Sequence, residues 1–187
     1  MISLEELKKL VRTRRTSMLV DKERDVPAAT IEALCELATW APNHKRTWPW
    51  RFALYSNEGR ARLGQAFVTD MNASAIGDEA KRAKTLTKYG RTPAILVVGC
   101  APGDGTMRDD DRDAVAAGIQ TFLLGATAAG LASYWSSAPV TDAPSVAALS
   151  GFEPGTRIIS VIYLGWPSGH NVEVPVRPAI AMAHVTS

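Results

Sequence analysis

The chain is organised around the segment APNHKRTWPWRF, residues 41–52, which lies between a patterned helix and a short apolar strand. It contains two prolines, two tryptophans, one histidine and three cations. Each proline removes a backbone donor and restricts the residue before it, so we expect a stiff, irregular loop. Such a loop suits a flat, electron-poor, anionic ligand. The alternative is that its tryptophans fill the core and its cations face solvent.

The composition is that of an ordinary globular protein. The chain has 187 residues, 46% hydrophobic and 21% charged, with a formal net charge of +2. This length favours one domain over residues 1–187, and the small charge argues against a nucleic-acid partner. Cys35 and Cys100 lack metal or disulfide spacing, so we expect no metal and a reducing, cytoplasmic setting. Acidic residues near the N-terminus argue against a secretion signal.

The span 114–141 carries no charged residue and is long enough to cross a bilayer. Its many glycines, serines and threonines instead favour a buried central helix, so we expect no membrane partner. Gly118 and Gly125 lie seven positions apart, on nearly one helical face, and would let another backbone approach closely.

Helical and strand patterns alternate without a repeat or a linker. Ser3 and Glu6 form a capping box for a first helix that ends near Arg12. Further helices are predicted near 27–40, 58–67, 113–129 and 144–149, and strands near 50–55, 92–100 and 157–165, with a strand or turn at 131–137. Residues 69–87 are a candidate mobile lid. The tail from Trp166 has no lasting period.

Two small clusters carry the remaining chemistry. Arg14, Arg15 and Thr16 follow the first helix, where compensation of the helix dipole no longer explains their charge. Guanidinium and hydroxyl groups together bind phosphate well. The aspartates of residues 109–113 are better explained as first-turn helix residues than as a metal site. No GxGxxG, GxxxxGK[ST] or GxSxG motif is present, which argues against a classical dinucleotide-binding fold, a P-loop enzyme and a hydrolase of the nucleophile-elbow type. The HExxH motif is also absent.

Taken in order, these segments resemble the nitroreductase family of FMN-dependent NAD(P)H oxidoreductases, most closely its short YdjA-like members. The motifs that carry the resemblance are RRT at 14–16, WAPNHKRTWPWRF at 40–52, AGLASYWSS at 129–137 and YLGWP at 163–167. The resemblance covers nearly the whole chain. It implies an α+β fold with a central mixed β-sheet flanked by helices. It also implies an intertwined homodimer with FMN, bound non-covalently, between the two chains.

The resemblance also implies which residues contact the cofactors. The positions that match FMN contacts are Arg14, Arg15 and Thr16 at the phosphate and ribityl chain, Trp40 and His44 at the flavin, and Trp135, Ser136 and Ser137 at the isoalloxazine or ribityl region. The positions that match a nicotinamide-nucleotide segment are Gly125, Ala126, Thr127, Ala128, Ala129 and Gly130.

The chain departs from the family pattern at several of these places. Thr16 replaces a serine and keeps its hydroxyl, whereas Trp40 replaces an arginine and removes a charge. Ser136 stands where a basic residue is common, and Trp48 replaces the glutamine before Pro-Trp, which would alter the pocket wall. Arg177 is a candidate phosphate ligand in the tail.

The implied chemistry is a ping-pong cycle centred on the flavin, with no catalytic side chain. NAD(P)H passes a hydride to flavin N5 and leaves, and a nitroaromatic or quinone acceptor then takes the electrons. Lys45 and Arg46 are the cations available to favour the reduced flavin. The alternatives are a non-catalytic flavin-binding module, or a same-fold enzyme of dehydrogenase, flavin-fragmenting or dehalogenase type.

Overall fold

The computed structural model describes residues 2–103, 108–169 and 174–185, with the backbone alone at Arg108. Its helices are α1 (Leu4–Thr13), α2 (Ala28–Ala38), α3 (Glu58–Ala73), α4 (Glu79–Thr87), α5 (Arg108–Ala128) and α6 (Pro144–Leu149). Its strands are β1 (Trp50–Ser56), β2 (Ala94–Cys100), β3 (Ala132–Ser137) and β4 (Arg157–Gly165). Short 3-10 turns occupy His44–Arg46 and Lys88–Arg91. Helices around one sheet confirm the α+β class.

The four strands form one sheet in the order β1-β2-β4-β3, and every neighbouring pair is antiparallel. This corrects the expected mixed sheet. Among the described residues, the one parallel pairing beside these strands is the isolated bridge between Thr16 and Ser133. It remains a single bridge because the segment after α1 soon turns away, and Val20 then pairs antiparallel with Pro167.

The strand β2 is buried along its whole length because helices cover both faces of the sheet. Its side chains alternate between two hydrophobic clusters, as the pleat requires. Leu96 and Val98 face α2 and α5, whereas Ile95 and Val97 face α3 and α6. The sheet therefore separates two halves of one core.

The central helix α5 packs closely on α2 and β1, as the glycine spacing predicted. A Cβ atom at Gly118 would lie 2.7 Å from the carbonyl oxygen of Ala38 and 2.6 Å from Nε1 of Trp50. Trp50 Nε1 donates to the Ala114 carbonyl at 3.2 Å. At Gly125 an added Cβ would lie 2.7 Å from Leu34. The buried-helix interpretation is confirmed.

The candidate lid, residues 69–87, is packed against the body of the protein. The helix α3 continues beyond its predicted end to Ala73, and Met71 is completely buried. The buried carboxylate of Asp70 accepts hydrogen bonds from the backbone amides of Ser145 and Val146 at the start of α6. These contacts contradict the lid interpretation for residues 69–73, because opening would expose apolar surface and leave buried amides without an acceptor.

Within the described residues, the helix α1 and the tail both leave apolar side chains uncovered. The helix α1 begins with the predicted capping box but has no buried residue, and Leu4 and Val11 are 66% and 45% exposed. The tail over residues 174–185 has neither helix nor strand, and Val176 and Ile180 are almost fully exposed. An amphipathic helix normally buries its apolar face.

Candidate functional site

The turn after α1 is tied to the edge strand β3. The Arg14 amide donates to the Leu10 carbonyl at 3.2 Å and ends the helix. The chain then runs beside β3, where Thr16 bridges to Ser133 and the Ser17 amide donates to the Ser133 carbonyl at 2.9 Å. These bonds hold the predicted phosphate-binding turn in a defined position.

Both arginines of this turn keep hydrogen-bonding capacity that the described part of the chain does not use. Arg15 Nη1 donates to the carbonyls of Arg12 and Arg14, at 2.5 and 2.9 Å. Its Nε is buried and has no hydrogen-bond acceptor there. The half-buried Arg14 guanidinium likewise has no such acceptor or ion pair. An unsatisfied buried donor costs about 1–3 kcal/mol, so an anionic group would fit this place.

A cleft of about 240 Å³ adjoins Arg15, and we call it the phosphate-end cleft. The ends of α1 and α5, the start of β3 and the segment after β4 surround it. The predicted site residues that line it are Arg15, Thr127 and Gly130. Two other residues of the proposed nicotinamide segment lie elsewhere, because Gly125 packs on Leu34 and Ala126 is completely buried. Ala128 and Ala129 are exposed beyond the cleft.

The loop of residues 41–48 is stiff and irregular, as predicted. Asn43 fixes it, because Oδ1 accepts from the Trp48 amide at 2.9 Å and Nδ2 donates to Thr47 Oγ1 at 3.0 Å. Thr47 in turn donates to Asp111 at the start of α5. His44 is exposed on the 3-10 turn of this loop.

The loop borders a second cleft, of about 360 Å³, which we call the tryptophan cleft. Trp40 and Trp48 line it and are 78% and 59% exposed. Trp40 Nε1 donates to Glu36 Oε1 at 2.6 Å. The core-filling alternative therefore holds for Trp50, which is 6% exposed, and fails for Trp48.

The third predicted group lies on the edge strand β3. Trp135 is 37% exposed and Ser137 is exposed at the end of the strand. Ser136 is half-buried, and its hydroxyl donates to the Ser137 carbonyl at 3.2 Å. These residues share β3 with Ser133, to which the Arg14–Thr16 turn is attached.

The predicted site residues of one chain therefore form two groups that do not meet. The loop contacts Asp111 near the start of α5, whereas the phosphate-end cleft is lined by Thr127 near the end of that helix. At the rise of an α-helix, Asp111 and Thr127 lie about 24 Å apart along α5. The groups also flank opposite edge strands, β1 and β3. Residue order alone could not reveal this separation.

The described residues contain no cluster of three or more His, Cys, Asp or Glu side chains that could hold a metal ion. Asp111 is 3% exposed and accepts a hydrogen bond from Thr47, so its role is to hold the loop in place. Burial raises the pKa of Cys35 to about 12, which keeps its thiol protonated at neutral pH. In the same part of the chain, each helix is too short or too polar to cross a bilayer.

Comparison with known proteins identifies the family. A sequence model of the nitroreductase family matches residues 11–166. YfhC of Bacillus subtilis, provisionally named as an NAD(P)H nitroreductase, is 32% identical over 164 residues, which cover 86% of this chain and 84% of YfhC. YdjA of Escherichia coli K12, named in the same way, is 28% identical over 170 residues, which cover 88% and 89%.

The fold agrees with this assignment. The crystal structure of a nitroreductase with bound FMN from Bacteroides fragilis superimposes with a TM-score of 0.76 at 21% identity, covering 97% of this chain and 99% of that one. The family model, the two relatives and the similar solved fold thus confirm the resemblance drawn from the motifs. The chain belongs to the nitroreductase family.

Proposed function

We propose that this protein is an FMN-dependent NAD(P)H oxidoreductase that reduces nitroaromatic or quinone-like acceptors in a ping-pong cycle. Family membership, the names of the two relatives and the FMN held by the Bacteroides protein support the proposal. The observation that carries it is the unused hydrogen-bonding capacity at Arg14 and Arg15. The buried Arg15 Nε has no acceptor among the described residues, and Arg15 lines the phosphate-end cleft.

The phosphate end of FMN would be held by Arg14, Arg15 and Thr16. Arginine's planar fork matches the oxygens of a phosphate, and a hydroxyl donates a further bond. The β3 residues at 135–137 lie on the strand to which this turn is bonded, so they would contact the ribityl or ring region. Of the nicotinamide segment, Thr127 and Gly130 are the residues that line the cleft.

The ring end would be completed by the loop of a second copy of the chain, with Trp40 and His44. Within one chain this loop lies about 24 Å from the phosphate-end cleft, measured along α5. The exposed apolar face of α1 and the exposed tail offer surface for such a partner. We therefore propose a homodimer with two shared sites. Arg177, in that tail, stays a candidate phosphate ligand.

FMN, when bound, would supply the hydride exchange at N5 between NAD(P)H and the acceptor. The chain would bind its phosphate, orient its ring and limit the access of water. Lys45 and Arg46 are exposed cations on the loop and would favour negative charge at the ring end. No acid-base pair is required for this cycle, in keeping with a site built from arginines, hydroxyls and aromatic rings.

We also propose that residues 1–187 form one domain, because both hydrophobic clusters pack on the same sheet. A cytoplasmic location is proposed on the sequence spacing of Cys35 and Cys100, which is not that of a disulfide framework. A non-catalytic flavin-binding module, and a same-fold enzyme of dehydrogenase, flavin-fragmenting or dehalogenase type, are the other outcomes that the following experiment would detect.

Anaerobic titration of the FMN-loaded protein with NADH and with NADPH tests the proposal. We expect the flavin absorption band to bleach, and to return when a nitroaromatic or a quinone is added. A yellow protein that neither nucleotide bleaches would indicate the binding module. Bleaching that no nitroaromatic or quinone reverses would indicate a different reaction on this fold. A protein that cannot be loaded with FMN would refute the proposal.

Replacing Arg14 tests the phosphate end separately. We expect Arg14→Ala to weaken FMN binding about tenfold to a hundredfold, because a phosphate oxygen loses a charge-assisted hydrogen bond. Arg62→Ala, which removes an exposed arginine from α3, is the matched control and should leave the affinity unchanged. Fluorescence titration with FMN measures both. Equal affinity in the two variants would show that Arg14 is ordinary surface.

A further inference from the structure

The backbone of Trp48 is held in a left-handed conformation from both sides. Its φ is +53°, its amide donates to Asn43 Oδ1 at 2.9 Å, and its carbonyl accepts from Arg51 Nη1 at 3.0 Å. Arg51 is itself fixed by Glu153, with Nε to Oε2 at 2.8 Å. A residue other than glycine pays about 1–2 kcal/mol to adopt this conformation. The surrounding hydrogen bonds over-determine it, which is typical of functional segments.

This conformation presents an indole that the core does not need. Trp48 is 59% exposed, whereas the core position is already filled by Trp50, whose ring centroid lies 6.3 Å away at a tilt of 53°. Lys45 and Arg46, just before it, also have positive φ, each +54°. Strained backbone and a large exposed ring both lower stability, so packing within the chain does not explain them.

The tryptophan cleft has the form of a binding site for a flat molecule. Its volume of about 360 Å³ lies within the usual range for small-molecule pockets. Trp48 forms one wall and Trp40 another, and the bond from Trp40 Nε1 to Glu36 fixes the second ring. The Arg46 guanidinium lies at the same cleft, and the described part of the chain gives it no hydrogen bond or ion pair. It is therefore free to donate to an oxygen of a bound molecule.

We propose that the tryptophan cleft selects planar fused-ring acceptors, such as naphthoquinones or nitronaphthalenes, over single-ring ones. The acceptor stacks on Trp48, and Arg46 donates to its carbonyl or nitro oxygen. Reduction of a bound acceptor rests on the proposed function, whereas the ring selectivity does not. For a quinone, the hydride of NAD(P)H and one proton from water give the hydroquinone and NAD(P)⁺.

The first test compares two quinones as acceptors under steady-state conditions. We expect the KM for 2-methyl-1,4-naphthoquinone, relative to that for 1,4-benzoquinone, to rise about fivefold to tenfold in Trp48→Gln. That range is the loss expected for one aromatic stack. Trp48→Phe keeps an aromatic face and should restore most of the preference. Leu86→Gln, which removes exposed apolar surface from α4, is the matched control and should not change it. An unchanged KM ratio in Trp48→Gln would overturn the proposal.

The second test needs no turnover and separates this proposal from the proposed function. Calorimetric titration of the purified protein should show 1-naphthol binding about tenfold more tightly than phenol, and Trp48→Gln should remove that preference. Trp40→Gln should also weaken the preference for 1-naphthol. Trp40 is 78% exposed, so this substitution should not impair folding. If the protein shows no preference for 1-naphthol, or if Trp48→Gln keeps that preference, the cleft is not the proposed site.

Discussion

Arg51 is the residue that joins the loop to the segment before β4. Its Nη1 donates to the carbonyls of Trp48 and Trp50, at 3.0 and 2.9 Å. Its Nε and Nη2 face the carboxylate of Glu153, and the Nη2–Oε1 distance is 2.5 Å. The hydrogen bond from Arg51 lowers the pKa of Glu153 below its ordinary value of 4.5. The charge of this carboxylate therefore supports the folded state.

The loss of stability caused by replacing Glu153 is expected to depend on pH. Because its pKa is lower in the folded state, the carboxylate stabilises the protein above its unfolded-state pKa, and this contribution is lost as the pH falls through the folded-state pKa. Both side chains are about one third exposed, so Glu153→Gln should cost less than about 1 kcal/mol at pH 7. Urea unfolding should show the difference from wild type shrinking at pH values below the ordinary pKa of 4.5.

Glu23→Gln provides the control for this measurement, because its exposed side chain makes no ion pair among the described residues. The free energy of unfolding of this variant should match that of wild type at pH 7 and at lower pH. A deficit in Glu153→Gln that stays constant across the whole pH range would show that the pair acts through shape and not through charge.

At the scale of elements, α5 connects the two ends of the candidate site. Its first turns hold the loop through Asp111 and its last turns border the phosphate-end cleft. The position of the helix depends on Gly118, since a Cβ there would collide with the carbonyl of Ala38 and the ring of Trp50. The spacing of α5 from α2 and β1 is thus set by the absence of one side chain.

Gly118→Ala is therefore expected to lower the free energy of unfolding. Overpacking costs about 1–3 kcal/mol, and the better helix propensity of alanine returns up to about 1 kcal/mol. The net loss should be up to about 2 kcal/mol in chemical denaturation. Gly90→Ala is the matched control, because a Cβ there would meet no atom within 4 Å, and it should change stability little. Equal stability of the two variants would contradict the close packing of α5.

Elements whose signals are local could be predicted from the sequence. The capping box at Ser3, the buried α5 and the strands 94–100 and 157–165 follow from spacing and apolar runs. The extension of α3 to Ala73 could not, because it depends on the burial of Met71 beneath distant residues. The antiparallel sheet was missed for the same reason, since strand direction is set by contacts between remote segments.

The chemistry of the candidate site was more predictable than its geometry. Arginines beside hydroxyls indicate a phosphate, and Arg15 indeed keeps an unused buried donor. The linear sequence, however, shows neither that Trp48 is exposed while Trp50 is buried, nor that His44 and Arg15 lie near opposite ends of α5. Both facts depend on how α5 crosses the sheet.

At the scale of the whole molecule, one chain carries the two ends of the proposed site, and the described residues of α1 and of the tail leave apolar side chains uncovered. The proposed phosphate end lies beside β3 and the proposed ring end lies before β1, at opposite edges of the sheet. A two-fold dimer would bring the phosphate end of each chain to the ring end of the other, and would give two identical sites. A site shared between two chains predicts how mixed dimers bind FMN.

The most direct test mixes Arg14→Ala and His44→Ala chains after partial unfolding and refolding, and counts FMN sites of wild-type affinity. In a mixed dimer with shared sites, one site joins the intact Arg14 of one chain to the intact His44 of the other. With random pairing, about a quarter of all sites should therefore regain wild-type affinity, while each variant alone has none. If every site lies within one chain, each carries a defect. The mixture would then contain no wild-type site, and the account would be contradicted.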